Sequence, residues 1–306
     1  MFPPLTRTWL IAILAGLMPL LPVSSKAGMT TEEVNAFNII KTKAENGDVK
    51  AQSALGACYD DGIGVAQDAA EAVRWWLKAG AQGDAFAQAS LGPCFMHGHG
   101  APKNMAESVK WYRMSAEQGV APSQFSLAHS YLEGEGVTKD EVEAVKWFRK
   151  AADQGHDKAQ FWMGLCFDEG RGVAKDAVES AKWRRLSAEQ GNVIAQWTLG
   201  GCYSSGNGVT KDEAEAVKWF RKAAEQGFSF AQINLGHCYA NGEGVAKDEV
   251  EAYAYWNIAA ASNGMARGNI ASLERKLSRD EIAAGQRRSK EIQKVIAANQ
   301  TRQRGK

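Results

Sequence analysis

Residues 195–230 are AQWTLGGCYSSGNGVTKDEAEAVKWFRKAAEQGFSF, and this stretch of 36 residues decides the fold of the whole chain. Variants of it recur at a constant interval. Six glutamines mark that interval: Gln52, Gln88, Gln124, Gln160, Gln196 and Gln232. A repeat of this length is one supersecondary unit that cannot bury its apolar face alone, so neighbouring copies must stack to form a core. The sequence therefore predicts six stacked repeats over residues 51–266.

Each repeat is predicted to hold two helices. In the first, Ala195, Leu199 and Tyr203 recur at helical spacing and define one apolar face. The sequence Gly206-Asn207-Gly208 then ends the helix, because glycines punctuate turns. The first helix and its turn are thus specified locally.

The second helix of the repeat has a start signal and a stop signal. Asp212 is followed three residues later by Glu215, an acidic relative of the capping box. Trp219 and Phe220 lie on its apolar face, and Gly227 follows where a left-handed C-cap is expected. The pattern predicts an all-α helix-turn-helix unit.

These residues resemble the Sel-one-like repeat, a relative of the tetratricopeptide repeat. The positions that carry the resemblance are Ala195, Leu199, Gly200, Tyr203, Gly206, Gly208, Val209, Asp212, Ala216, Trp219, Phe220, Lys222, Ala223, Ala224, Gln226 and Gly227. The resemblance implies a right-handed α-solenoid that serves as an adaptor or scaffold, with no activity shared across the family. We therefore expect six 36-residue repeats with a helical cap at each end.

The first 27 residues are predicted to be a cleaved signal peptide. Arg7 precedes a short apolar segment, and Ser25-Lys26-Ala27 is typical of a cleavage site with small residues. The alternative, an uncleaved anchor, is disfavoured because the apolar segment is short for a membrane span. The mature protein is therefore expected in the periplasm or outside the cell.

Helical caps are predicted at both ends of the repeats. Residues 28–50 are assigned to an N-terminal capping helix, and residues 267–306 to two capping helices, at 266–277 and 279–298, and a basic tail. The C-terminal segment carries eleven Lys and Arg against four Asp and Glu. Residues 1–27 contribute two further cations and the whole chain is +1, which leaves residues 28–266 at −8. The sequence thus predicts an acidic repeat body with a basic tail.

Two copies depart from the consensus. Repeat two has Pro93 inside its first helix and the loop His97-Gly98-His99-Gly100, so we expect a kinked helix and an exposed loop. Repeat four has Arg184 where the other copies have an aromatic residue. A buried charge is costly unless it is paired, so this arginine must reach a partner or solvent.

The five cysteines are predicted to be packing residues rather than disulfide partners. They occupy the same position in five repeats: Cys58, Cys94, Cys166, Cys202 and Cys238. Equivalent helices in a stack lie about 8–10 Å apart, beyond the roughly 7 Å between Cα atoms that a disulfide allows. The cysteine-rich branch of the family pairs two cysteines per copy, and the second is missing here.

No catalytic, metal or cofactor site is predicted. His97 and His99 share a loop, but no third ligand is near them in sequence, and zinc sites need three or four. The sequence motifs of serine and metal hydrolases and of phosphate-binding loops are missing from the chain. The sequence therefore favours a protein that is not an enzyme.

A partner-binding strip is predicted on the side of the first helices that faces away from the core, which is concave in tetratricopeptide-like solenoids. Its residues are Phe125, His129, Phe161, Trp162, Leu165, Trp197, Ile233 and His237. An exposed run of aromatic side chains is typical of a binding groove. The alternative, left open by the sequence, is that these side chains pack between adjacent first helices as core.

The leading hypothesis is an exported, non-enzymatic scaffold that binds a protein or peptide in the cell envelope. The runner-up is a scaffold of an export or secretion apparatus that binds an envelope polysaccharide. Nucleic acid is disfavoured by the export signal, and membrane contact is left open without being predicted. A third hypothesis, a cell-wall hydrolase, has no supporting residues.

Overall fold

The computed structural model describes residues 29–304, and this part of the chain forms fifteen α-helices and no strand. The predicted signal peptide lies outside the described residues. The helices are α1 Thr31–Glu45, α2 Val49–Asp61, α3 Ala69–Ala81, α4 Ala85–His97, α5 Met105–Glu117, α6 Ala121–Glu133, α7 Glu141–Asp153, α8 Asp157–Glu169, α9 Ala177–Glu189, α10 Val193–Ser205, α11 Glu213–Glu225, α12 Ser229–Asn241, α13 Glu249–Ala259, α14 Met265–Glu274 and α15 Arg279–Arg304.

The chain divides into two compact units, one ending at His156 and the other starting at Asp157. Helices α1 to α7 belong to the first unit and α8 to α15 to the second. Inside each unit the consecutive helices up to α14 pack against one another, with first helices (α2, α4, α6, α8, α10, α12) alternating with second helices. The predicted α-solenoid of six helix pairs is confirmed.

The second helices begin where the sequence predicts. The Asp212 carboxylate accepts a hydrogen bond of 2.9 Å from the backbone N–H of Glu215. The Glu215 side chain contacts Lys218, at 2.8 Å, instead of reaching back to the cap. The motif is therefore an N-cap followed by an ion pair between residues i and i+3, and not a reciprocal capping box. A reciprocal box does occur at the start of α1, between Thr30 and Glu33.

The glycines of the repeat allow close contacts between helices. Gly200 of α10 lies under the Phe220 ring of α11, and a Cβ at that glycine would be 2.6 Å from the ring. Gly208 in the turn has φ +72°, and a Cβ there would collide with the Ala177 carbonyl oxygen of α9. Only glycine suits this second position, both for its left-handed backbone and for the approach of the preceding helix.

The recurrent glutamine joins consecutive repeats. In the second unit, Gln196 donates from Nε2 to the Ala188 carbonyl at 3.0 Å and accepts at Oε1 from Gln226 Nε2 at 2.8 Å. The same side-chain pair occurs as Gln82–Gln52, Gln118–Gln88, Gln154–Gln124 and Gln190–Gln160, each at 2.7 Å. The buried amide of Gln196 thus satisfies hydrogen-bonding groups from two successive repeats.

The five cysteines are all buried free thiols, which confirms the predicted packing role. Burial raises the pKa of Cys58 to about 12, of Cys94 to about 12 and of Cys238 to about 11. Since the thiolate is the reactive form, these three thiols are inert at neutral pH.

The chain after repeat six folds back over the second unit. Helix α15 begins with the predicted capping box, in which Glu281 accepts from the Ser278 backbone N–H at 2.8 Å. Its Ile292 and Ile296 pack in one cluster with Tyr255 and Ile258 of α13. The helix continues to Arg304, beyond the predicted end at residue 298. It therefore covers second helices α11 and α13 in addition to terminating the stack.

Repeat two keeps the regular helix lengths despite its proline. Pro93 is exposed, and α4 runs through it with the same 13 residues as the other first helices. His97 and His99 are exposed, as predicted for this loop, and His99 Nε2 lies 3.0 Å from Asp60 Oδ1.

Candidate functional site

In the first unit the predicted site residues Phe125 and His129 are half-buried on α6. The Phe125 ring stacks on His156, with centroids 4.9 Å apart, and also contacts Phe148 at 5.7 Å. His129 lies 6.4 Å from the Phe125 ring. Much of the aromatic surface at this position is therefore already used inside the unit.

In the second unit Phe161, Trp162 and Leu165 are half-buried on α8. Phe161 packs against the buried cluster that contains Leu199 and Trp219. The sequence left open whether these side chains form a binding groove or pack as core. Because they are half-buried, each contributes to the core and keeps part of its surface accessible. The alignment of Phe125, Phe161 and Trp197 in one strip stays a prediction.

The sequence places Ile233 on the exposed strip, and this prediction is wrong. Its side chain is 9 % exposed and belongs to a core cluster with Tyr253, Trp256 and Leu273. The covering residues come from α13 and α14, the segment after α12, which helical spacing within α12 does not reveal. His237, one turn further along α12, is exposed.

Trp197 lies in an aromatic cluster, which we define as Trp197, Phe228 and Phe230. The three ring centroids are 5.5–5.6 Å apart, and the ring planes are inclined by 37–59°. The indole N–H of Trp197 donates to Asn234 Oδ1 at 2.9 Å. Because its only donor is satisfied, the accessible part of this ring presents apolar surface.

The most exposed apolar residues of this region are ones that sequence reasoning missed. Ile194 is 42 % exposed and Phe230 is 41 % exposed. They occupy the same repeat position, immediately before the first residue of the repeat, where Lys50 and Lys158 stand in other copies. A comparison of that position between copies would have found them.

Arg184 occupies the aromatic site of repeat four and reaches a partner, as predicted. Its side-chain stem covers Gly164, and its Nη2 donates to Asp168 Oδ2 at 2.8 Å. Nη1 lies 3.4 Å from Cys202 Sγ. Burial acts to lower the pKa of Arg184, but the hydrogen bonds to Asp168 and Cys202 raise it overall, so the side chain stays charged.

A cleft of about 250 Å³ opens beside Arg184. It is lined by Arg184, Trp197, Thr198, Gly201, Cys202, Ser205, Asn207, Phe220 and Asn234. The sequence distinguishes Arg184 and Trp197 for separate reasons, and nothing in their spacing indicates that they share a cleft. Among the described residues, no group of three or more His, Cys, Asp or Glu side chains is placed to hold a metal ion.

The protein-family model named Sel1 repeat matches six consecutive segments of this chain: 49–84, 85–120, 121–156, 157–192, 193–228 and 229–264. The chain belongs to the Sel1-repeat family. The predicted resemblance is therefore confirmed, with each family segment starting two residues before the predicted repeat. Sel1-repeat proteins are typically non-catalytic scaffolds that mediate protein–protein interaction.

Two solved structures are similar to this Sel1-repeat protein. A protective antigen present in uropathogenic Escherichia coli strains, displaying an SLR fold, is 36% identical over 83% of this chain, with a TM-score of 0.76. The chain spans 56% of that protein's length. A Sel1 repeat protein from Oxalobacter formigenes is 34% identical over 74% of this chain and 91% of its own, with a TM-score of 0.65. None of the curated proteins matches the chain.

Within residues 29–304, no helix has the length and apolarity needed to cross a membrane.

Proposed function

We propose that this Sel1-repeat protein is an exported, non-enzymatic adaptor that binds a polypeptide partner in the cell envelope. Its binding surface is the aromatic cluster together with Ile194. The observation that carries the proposal is that Phe230 and Ile194 are each more than 40 % exposed. The Phe230 ring lies 5.6 Å from Trp197, and Ile194 precedes Trp197 by three residues on α10, a spacing that makes neighbours on a helix surface. Exposed apolar residues that adjoin one another are typical of interaction sites.

The geometry of the cluster favours a polypeptide with an aliphatic or aromatic anchor over a sugar. A sugar ring needs a flat aromatic platform and free polar groups beside it, whereas these three rings are inclined to one another by at least 37°. The indole N–H of Trp197 is also already bonded to Asn234. Inclined rings with an aliphatic neighbour instead form a shallow apolar seat for a side chain.

A site-specific photocrosslinker at position 230 tests the binding surface. We expect one discrete polypeptide adduct in intact cells, identified by mass spectrometry. The matched control is the same crosslinker at Val178, which is 51 % exposed but lies on second helix α9. A second chain carrying Ile194→Ser should give less of the adduct, while its unfolding midpoint stays unchanged because the side chain is exposed.

Three results would contradict this proposal: no adduct at position 230, the same adducts at positions 230 and 178, or recovery of polysaccharide alone. The last result would support the runner-up function.

Export is supported by the composition of the first 27 residues. We expect N-terminal sequencing of the protein from a periplasmic or extracellular fraction to begin near Gly28. A soluble cytoplasmic protein that retains Met1 would refute export and leave the binding surface to be judged on the crosslinking result.

A further inference from the structure

The cleft beside Arg184 combines a buried cation with an accessible space. Arg184 is 7 % exposed, yet its guanidinium has only one strong acceptor, the carboxylate of Asp168. The contact from Nη1 goes to the sulfur of Cys202, a weak acceptor, and Nε has no hydrogen-bond partner. A guanidinium carries five N–H donors, so this one retains unused capacity toward an incoming oxygen.

The space itself results from Gly201. Other repeats carry a larger side chain at this position: Ala57, Pro93, His129, Leu165 and His237. A Cβ added to Gly201 would meet no atom within 4 Å, so the glycine is not required by packing. Its effect is to leave the cleft open between Trp197 and Phe220.

The rim of the cleft lacks the acidic side chains that other repeats have at the same positions. Ser205 stands where three other copies have an acid: Asp61, Glu133 and Glu169. Asn207 stands where Glu135 and Glu243 are found. In a repeat body with a net charge of −8, this repeat therefore offers neutral hydrogen-bonding groups around a cation.

We propose that the cleft formed by Arg184, Gly201, Trp197, Phe220 and Asn207 binds a carboxylate attached to a small, flat apolar group. The carboxylate contacts the free edge of the Arg184 guanidinium, and the apolar group lies between Trp197 and Phe220. The cleft volume of about 250 Å³ is below the roughly 300–1,000 Å³ of drug-sized sites, so it admits one small group.

Two sources would present this chemistry: a free small acid, or the carboxyl terminus of a polypeptide that ends in an aromatic residue. The proposal goes beyond the binding of a partner at the aromatic cluster and does not depend on it, because the ligand is recognised by Arg184 and not by Phe230 or Ile194.

The test is a titration of the full chain with benzoate, followed through the indole N–H signal of Trp197 in ¹H–¹⁵N spectra. Trp197→Phe assigns that signal by its disappearance. We expect a saturable shift with benzoate and at least tenfold weaker binding of benzamide, which has the same shape without the charge. A tripeptide acetyl-Ala-Ala-Phe with a free carboxyl terminus distinguishes the sources: tighter binding than benzoate indicates a polypeptide terminus, and weaker binding a free acid.

Two variants remove the site by independent means. Arg184→Phe replaces the cation with the residue found at the equivalent positions Phe148 and Phe220, so the fold should be retained. Gly201→Leu fills the cleft with the residue that repeat four carries, and leaves Arg184 in place. We expect each variant to weaken benzoate binding at least tenfold. The unfolding midpoint of Arg184→Phe should be at or above that of the unmodified chain.

The proposal is overturned if benzoate gives no saturable shift, if benzamide binds as tightly as benzoate, or if both variants bind benzoate as the unmodified chain does. None of these results bears on the crosslinking of a polypeptide at position 230, so the two proposals fail separately.

Discussion

At the scale of single residues, the recurrent glutamine explains why the repeats stack through polar as well as apolar contacts. The Gln196 amide lies between the end of helix α9 and the Gln226 side chain that follows helix α11. Both groups of the amide are used in a buried setting, where an unsatisfied partner would be costly. The residue therefore specifies the position of one second helix against the next.

We expect Gln196→Ala to lower the free energy of unfolding by about 1–3 kcal/mol, because it removes two side-chain hydrogen bonds of a buried amide, one to the Ala188 carbonyl and one from Gln226. Urea denaturation measures the loss. Ser204→Ala on the exposed side of the same helix is the control and should change stability by less than about 0.5 kcal/mol. Equal losses in the two variants would refute the bridging role of the glutamine.

The buried thiols make stability depend on alkaline pH. The pKa of Cys58 is about 12 in the folded chain against 9.0 for an unperturbed thiol, because burial disfavours the thiolate. A raised pKa means that folding favours the protonated form. This stabilisation is complete below pH 9 and is lost as the pH rises from 9 toward 12.

The unmodified chain should lose free energy of unfolding between roughly pH 8 and 10, because the thiol of Cys58 ionises in the unfolded state. In Cys58→Ala this thiol is removed, so we expect the loss to be smaller by about 1 kcal/mol. Urea unfolding at both pH values gives this difference directly. Identical pH dependence in the two proteins would show that Cys58 is not buried as described.

At the scale of helices and turns, two glycines in the second unit illustrate two different requirements for glycine. One position needs only a left-handed backbone, and the other also needs space for a neighbouring helix. Gly191 and Gly208 both have positive φ, +92° and +72°. A Cβ at Gly191 would meet no atom within 4 Å, whereas one at Gly208 would collide with the Ala177 carbonyl. The turn between first and second helices is thus fixed by the preceding repeat, while the turn between repeats is open to solvent.

We expect Gly191→Ala to cost about 1–2 kcal/mol, the penalty of a left-handed conformation alone. Gly208→Ala should cost about 3 kcal/mol or more, because α9 must also move away from the turn. Thermal or urea unfolding of the two variants compares them. A cost at Gly208 no greater than at Gly191 would mean that the close approach to α9 is absent in solution.

At the scale of the whole molecule, helix α15 covers second helices α13 and α11 of the second unit. It runs over α13, where Arg288 forms hydrogen bonds of 2.9 and 3.2 Å with Glu251, and reaches α11, where Asn299 donates to the Glu225 carbonyl at 3.3 Å. Apolar contacts from Ile292 and Ile296 accompany them. The basic segment therefore has a structural role on the second helices, apart from any partner.

Truncation before Arg279 should destabilise the second unit by about 3 kcal/mol or more, because it removes Ile292 and Ile296 and exposes the apolar surface of Tyr255 and Ile258 that they cover. Hydrogen exchange should report faster exchange in α13 and α11. A shorter truncation after Gln300 retains Ile292 and Ile296 and should leave α13 protected. Unchanged protection of α13 without α15 would refute the covering role.

Much of the local structure could be predicted because the signals are short-range. The spacing of Leu199 and Tyr203, the cap at Asp212 and the glycine at Gly208 each specify a helix or a turn within a few residues, and six copies repeat the signal. The need of Arg184 for a partner also follows from the sequence, since the cost of an unpaired buried charge does not depend on which acid is nearby.

By itself the sequence determined the period, the helix pairs, their caps and the family, because these depend on contacts between residues close in the chain or one repeat apart. Only the tertiary structure decided exposure. Ile233 is covered by residues from α13 and α14, whereas Phe230, three residues earlier, is not. The cleft likewise joins Arg184, Gly201 and Asn234 from three helices. Accessible surface at a residue depends on every element that packs around it, and the spacing inside one helix does not contain that information.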